Sequence, residues 1–192
     1  GMGIAGVQGS VNGELIPELF GPYWLNDEYV VCIHNSDVGI WRYDPPTTDR
    51  VQLDPRAANE LAAGGDVWAA WLVNYGLYSS SGLHFPNAGL MDVGSDGAIG
   101  YVPNRGLDNG IEVFETNGVV WTLTSQAVAE LNLVGNQQAV WRDFNHNFHV
   151  HSLPPLTTIS GTKWHPHAVL IDGDWWISYL SATAGLVLHP FN

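Results

Sequence analysis

Five times along this chain a short turn is flanked by two apolar segments, and the spacing of the copies limits the folds open to it. The clearest copy is Ile171-Asp172-Gly173-Asp174-Trp175-Trp176-Ile177-Ser178-Tyr179. Asp-Gly is a hairpin signal, because both residues tolerate the positive φ of a tight turn. The residues that follow are aromatic or β-branched, and such side chains suit a pleated, half-buried surface. Anchored on the acidic or Asn residue at the turn, the copies fall at Glu28, Asp66, Asp96, Asn136 and Asp174, spaced by 38, 30, 40 and 38 residues. Five residues after each anchor stands a large side chain: Ile33, Trp71, Tyr101, Trp141 and Tyr179.

A third strand is expected 11 to 15 residues after each anchor, at Ile40–Tyr43, Leu77–Ser80, Ile111–Phe114, Phe148–His151 and Leu186–His189. A fourth apolar run follows in four copies, at Val51–Leu53, Leu83–Phe85, Val120–Leu123 and Leu156–Ile159. The fifth copy has no room for one, since the sequence stops at Asn192, while the N-terminal run 14–20 has no copy of its own. A period near 40 residues with four short strands resembles a β-propeller, here of five blades. The resemblance implies an all-β, single-domain chain. Its blades span about 22–55, 58–88, 89–125, 127–160 and 164–192, strand 14–20 closes the last blade, and residues 1–13 are loose. The alternative is a β-sandwich or jelly roll, which also yields short strands at regular spacing. Neither the sialidase Ser-x-Asp-x-Gly-x-x-Trp box nor the Trp-Asp pairs of WD40 repeats occur. One segment, Asp54–Ala63, is open between a short helix and the inner strand of the second blade.

Charge removes two classes of partner. Six Lys and Arg face 19 Asp and Glu, for a formal charge of −13. Nucleic acids and anionic membrane surfaces both require a basic stripe, so neither is expected. No apolar run is long enough to span a bilayer as a helix. The single cysteine, Cys32, lies in an apolar run and reads as a buried thiol. Gly1-Met2 reads as an expression scar, and no leader peptide is legible. Polar positions filled by Asn, Thr, Ser and Gly rather than Lys and Glu favour an extracellular or secreted setting.

Three sets of residues could carry function. The first is aromatic rings with amides and carboxylates close by: Trp41, Trp71 and Trp141 with Asn74, Asp143 and Asn145. A ring face meets the apolar side of a sugar, and planar polar groups meet its hydroxyls. Propeller lectins present such sites, so the leading expectation is a non-enzymatic, lectin-like carbohydrate-binding module, with core packing as the competing use of the same rings. The second set is Glu60, Asp92 and Glu130, which the repeat places near the start of three successive blades. This arrangement resembles the acids of five-bladed glycoside hydrolases, where one carboxyl protonates the leaving group and another activates water or attacks. The third set is the pairs His149/His151 and His165/His167, each two apart on a strand and therefore pointing to one side. Such pairs can enter a metal site, but no spacing supplies further ligands. No cofactor is expected, a structural or site metal ion is left open, and a protein ligand is the remaining partner class. The longer inserts 103–110 and 143–147 occupy equivalent places between second and third strands, where function tends to sit.

Overall fold

The structure is a computed structural model describing residues 10–11, 14–15, 23–25, 30–34, 39–43, 49–72, 76–103, 110–156, 159 and 161–191. All described regular structure is β, and the strands form small antiparallel sheets. The chain divides into two compact units, Gly1–Leu90 and Met91–Asn192.

In the first unit, β1 (Ser10–Val11) pairs with β2 (Glu14–Leu15). A four-stranded meander follows: β3 (Tyr23–Leu25), β4 (Val30–His34), β5 (Gly39–Tyr43) and β6 (Arg50–Asp54). The next comprises β7 (Ala58–Gly64), β8 (Val67–Leu72), β9 (Gly76–Ser79) and β10 (His84–Phe85). Side chains alternate between faces along a strand, and one face of each meander is apolar. Ile40 therefore packs with Leu61, Trp68, Ala70 and Leu72 in one core. Segment 54–63, open in the sequence between helix and strand, supplies β7, because Gly64-Gly65-Asp66 closes a hairpin onto Val67.

The second unit takes β11 (Gly89–Val93) into a meander with β12 (Ile99–Val102), β13 (Ile111–Phe114) and β14 (Val120–Thr124). Then come β15 (Glu130–Gly135), β16 (Gln138–Arg142) and β17 (Phe148–His151), and finally β18 (Lys163–Ile171), β19 (Asp174–Ser181) and β20 (Gly185–Pro190). These three sheets stack face to face in chain order. Strand alternation explains how: Ala139 and Trp141 of β16 join Ile111 and Val113 on one side, while Val140 between them joins Ala168, Ile177 and Tyr179 on the other.

Polar side chains pin the stacked sheets at the repeat spacing. The anchor Asp96 accepts a hydrogen bond from the backbone N–H of the next anchor, Asn136, at 2.6 Å. Four residues earlier in each copy, buried Asp92 accepts from Leu133 N at 2.8 Å and Asn132 Nδ2 at 3.1 Å. Asn132 in turn accepts from Ala168 N at 2.9 Å. Each sheet thus satisfies a buried polar group of its neighbour, which an unpaired group in such a core would require.

At the N-terminus, Glu14–Leu15, the described part of the run 14–20, pairs with Ser10–Val11, and residues 16–20 lie outside the described residues. Of the expected fourth run 156–159, the described residues Leu156 and Ile159 pack onto the core around Ile177 and Tyr179, where their apolar surface is removed from water, and residues 157–158 lie outside the described residues. The anchor Glu28 and the loop 44–48 lie outside the described residues, as does most of the insert 103–110.

Candidate functional site

Two of the stacked sheets in the second unit meet at the β16–β17 loop, Asp143–Asn147. Register places Glu130 of β15 directly opposite Arg142 of β16. Their side chains form an ion pair, Arg142 Nε to Glu130 Oε2 at 2.8 Å, and both are largely buried. The same Oε2 accepts the backbone N–H of His165 at 2.7 Å, so Glu130 ties β15 to the start of β18. Burial pushes the Glu130 carboxyl up, but the Arg142 hydrogen bond, the His165 N–H and the nearby positive charge outweigh it and leave it below its usual range. Arg142 Nη1 also donates to Asp143 O at 3.3 Å and to His146 Nδ1 at 3.1 Å. A guanidinium only donates, so His146 Nδ1 is the acceptor there, and its 3.4 Å approach to Lys163 O is a contact rather than a second hydrogen bond.

Asp143 organises the loop. Its Oδ1 accepts the backbone N–H of Asn145 at 2.8 Å and of Asn147 at 2.9 Å. Its Oδ2 accepts Asn147 Nδ2 at 3.1 Å and His149 Nε2 at 3.0 Å. Four donors fill the carboxylate's four lone-pair sites. Burial pushes this carboxyl up, but the His149, Asn147 and Asn145 hydrogen bonds more than offset it and hold it at about 2. Asp143 is therefore an acceptor consumed by the loop, not one held open for a ligand. His146 takes φ 66°, a left-handed turn conformation that His and Asn adopt more readily than most residues. The loop so fixed holds Phe144 outward at 67% exposure, with Asn145 and Asn147 exposed beside it.

The expected residues are distributed as follows. Trp141 is 9% exposed, and the His149 ring stacks on it at 5.4 Å and 17°. Trp41, in the first unit, carries the Arg50 guanidinium over its ring at 4.6 Å. Trp141 is thus a core ring, and half-buried Trp41 has a ring face covered by Arg50. Trp71 lies on β8 but its side chain, like the whole of Asn74, is outside the described residues. Asp143 and Asn145 share the loop, in the two different roles just given. The exposed ring of that loop, Phe144, is not among the expected residues, whereas Tyr101, Trp141 and Tyr179, each five past an anchor, are core rings. The legible signal was an aromatic between an Asp and an Asn in an insert.

Of the three acids, Glu60 belongs to the first unit and Asp92 and Glu130 to the second. Glu60 is exposed on β7 in the first unit. Asp92 is buried within the sheet-to-sheet pins, and desolvation raises its carboxyl to about 6 against the hydrogen bonds it accepts. Glu130 is committed to Arg142 and His165. His149 and His151 do point to one side, toward Trp141 and Trp121 respectively. His165 and His167 are separated by a β-bulge: His165 approaches Glu130, and His167 Nδ1 approaches the carbonyl of Ala168. Among the described residues no group of three His, Cys, Asp or Glu is placed to hold a metal ion.

Comparison with known proteins leaves the site to be argued from its own geometry. No protein-family model matches the chain, and no curated protein matches it. A solved structure, TolB from Acinetobacter baumannii, is similar at a TM-score of 0.40 and 14% identity, over 84% of this chain and 51% of that one. The chain thus spans about half the length of that protein.

Proposed function

We propose that the protein is a non-enzymatic carbohydrate-binding module, with its successive meanders acting as blades of a propeller-like fold. One observation carries the reading: Phe144, 67% exposed, stands beside exposed Asn145 and Asn147 on a loop that Asp143 holds rigid through four accepted hydrogen bonds. An aromatic face can cover the apolar side of a pyranose, and neighbouring amides both donate and accept toward its hydroxyls. A loop already ordered loses little entropy on binding. The test is a broad glycan array, read with and without added calcium. Selective binding of related glycans, lost in Phe144→Ala, is expected. Selective binding that survives Phe144→Ala would move the site elsewhere, and a blank array would remove the carbohydrate reading.

A protein-interaction module is the second reading, favoured by the last sheet. Leu180, Leu186 and Leu188 are 41%, 76% and 50% exposed. Leu180 and Leu186 are cross-strand partners, and Leu188 shares their face two residues on. A cluster of exposed leucines is more than scattered surface apolarity requires.

A further inference from the structure

The start of β18 lies beside the β16–β17 loop that carries Phe144. Lys163, Trp164 and His165 open that strand. Trp164 lies against the edge of the His146 ring, with centroids 6.1 Å apart at 83°, so this corner adjoins the β16–β17 loop. His165 is unusual in two respects. Its side chain is 71% exposed, and its backbone takes φ 53° at the bulge that breaks the pairing between Trp164 and His167. A left-handed conformation costs a residue with a Cβ and persists only where its surroundings over-determine it. Here they do: Glu130 Oε2 grips the His165 N–H, and Glu130 is itself fixed by Arg142. The Nδ1 edge of the imidazole faces Glu130 Oε1 at 3.5 Å. The opposite ring nitrogen is thereby turned away from that carboxylate.

The described cations of the second unit are committed. Arg142 and Lys163 are the two described Lys or Arg residues of the second unit. Arg142 is 8% exposed and bound to Glu130, Asp143 O and His146. Lys163 is 3% exposed, lies 5.0 Å from the centre of the Phe148 ring and donates its ammonium to Ile159 O. Neither described Lys or Arg of the second unit therefore presents a free charge to an anionic sugar, and the net charge of −13 opposes one.

From this geometry we propose that His165, together with Trp164, forms a second subsite for an uncharged glycan whose first contact is Phe144, and that uronate-bearing glycans are excluded. The inference rests on the carbohydrate reading above. Its test uses the whole chain with cellohexaose, maltohexaose, mannohexaose and hexagalacturonate as probes, by titration calorimetry at about 150 mM salt, where surface charges are already partly screened. His165→Gly is the decisive variant, because glycine takes a positive φ without strain and the bulge is kept. Binding of at least one neutral hexaose is expected, weakened about ten-fold or more in His165→Gly at unchanged thermal stability, the loss of roughly one good polar contact. His165→Asn, which tolerates the same backbone and retains a donor and an acceptor, is expected to recover part of it. Hexagalacturonate is expected not to bind. Wild-type affinity in His165→Gly overturns the subsite while leaving the carbohydrate reading standing. Hexagalacturonate binding as tight as that of a neutral hexaose overturns the charge argument. If none of the four binds, this inference falls, while the carbohydrate reading stands or falls on the glycan array.

Discussion

Asp92 and Asp143 are the same residue type with opposite electrostatics, and the difference is one of placement. Asp92 is buried between sheets, so desolvation dominates and its carboxyl rises to about 6. Asp143 sits in a surface loop where four donors reach it, and its carboxyl is held at about 2. The consequences for stability run in opposite directions. With an unfolded value near 4, Asp92 binds its proton more tightly in the folded chain, so its contribution is fully present below about pH 4 and is lost as pH rises through about 6. Urea unfolding of the wild type and Asp92→Asn at pH 4 and pH 7 should show the wild type losing more stability than the variant over that interval; parallel losses would contradict the assignment. Asp143 contributes above about pH 4 and loses that contribution as pH falls through about 2. Asp143→Ala should cost about 1–3 kcal/mol at neutral pH, since it leaves several N–H donors without their acceptor. The same variant should raise hydrogen exchange at Asn145 and Asn147; exchange unchanged from wild type would show that the loop is held by something else. Neither role was legible in the sequence, where each Asp is one acid among many.

At the scale of the element, the strands were legible because turn chemistry and side-chain period act locally. The hairpins anchored at Asp66, Asp96, Asn136 and Asp174 form as expected, and third strands such as Ile111–Phe114 and Phe148–His151 coincide with their expected bounds. Edge positions were less legible, because pairing there competes with burial, as at Leu156 and Ile159, which pack onto the core. Gly135 shows the same competition between a strand and its neighbour. It takes φ 117° at the end of β15, and a Cβ there would come within 2.5 Å of Ser95 Oγ on the adjacent sheet. Gly118 also has positive φ, at 86°, but open space around it. Gly135→Ala is therefore expected to destabilise by about 2–4 kcal/mol, combining backbone strain with displacement of the sheet contact, against about 1 kcal/mol for Gly118→Ala. Denaturant midpoints for the two variants check this; equal shifts would mean that the approach of Ser95 costs nothing.

For the whole molecule, charge sets what can approach it. With six basic residues against 19 acidic ones, the protein is expected to pass through a heparin or DNA column at about 150 mM salt without retention. Retention would reveal a basic surface that the charge balance does not suggest. The last sheet offers a separate check: Leu186, 76% exposed, can be changed to Glu within about 0.5 kcal/mol of stability if it faces only water. A larger loss, or a change of sedimentation coefficient, would show that this face is covered in solution. By itself the sequence determined the all-β class, the hairpin turns, most strand bounds and the acidic balance of charge, because those follow from local φ preferences, side-chain alternation and summed charge. The tertiary structure alone decided which groups are spent and which are presented. Trp141 lies under His149, Glu130 is committed to Arg142 and His165, Asp143 is filled by its own loop, and Phe144 and His165 face solvent. The physical reason is that the contacts of Trp141 and Glu130, and that of Asp143 with His149, join residues 6 to 35 apart in sequence, and no local pattern records which partner arrives.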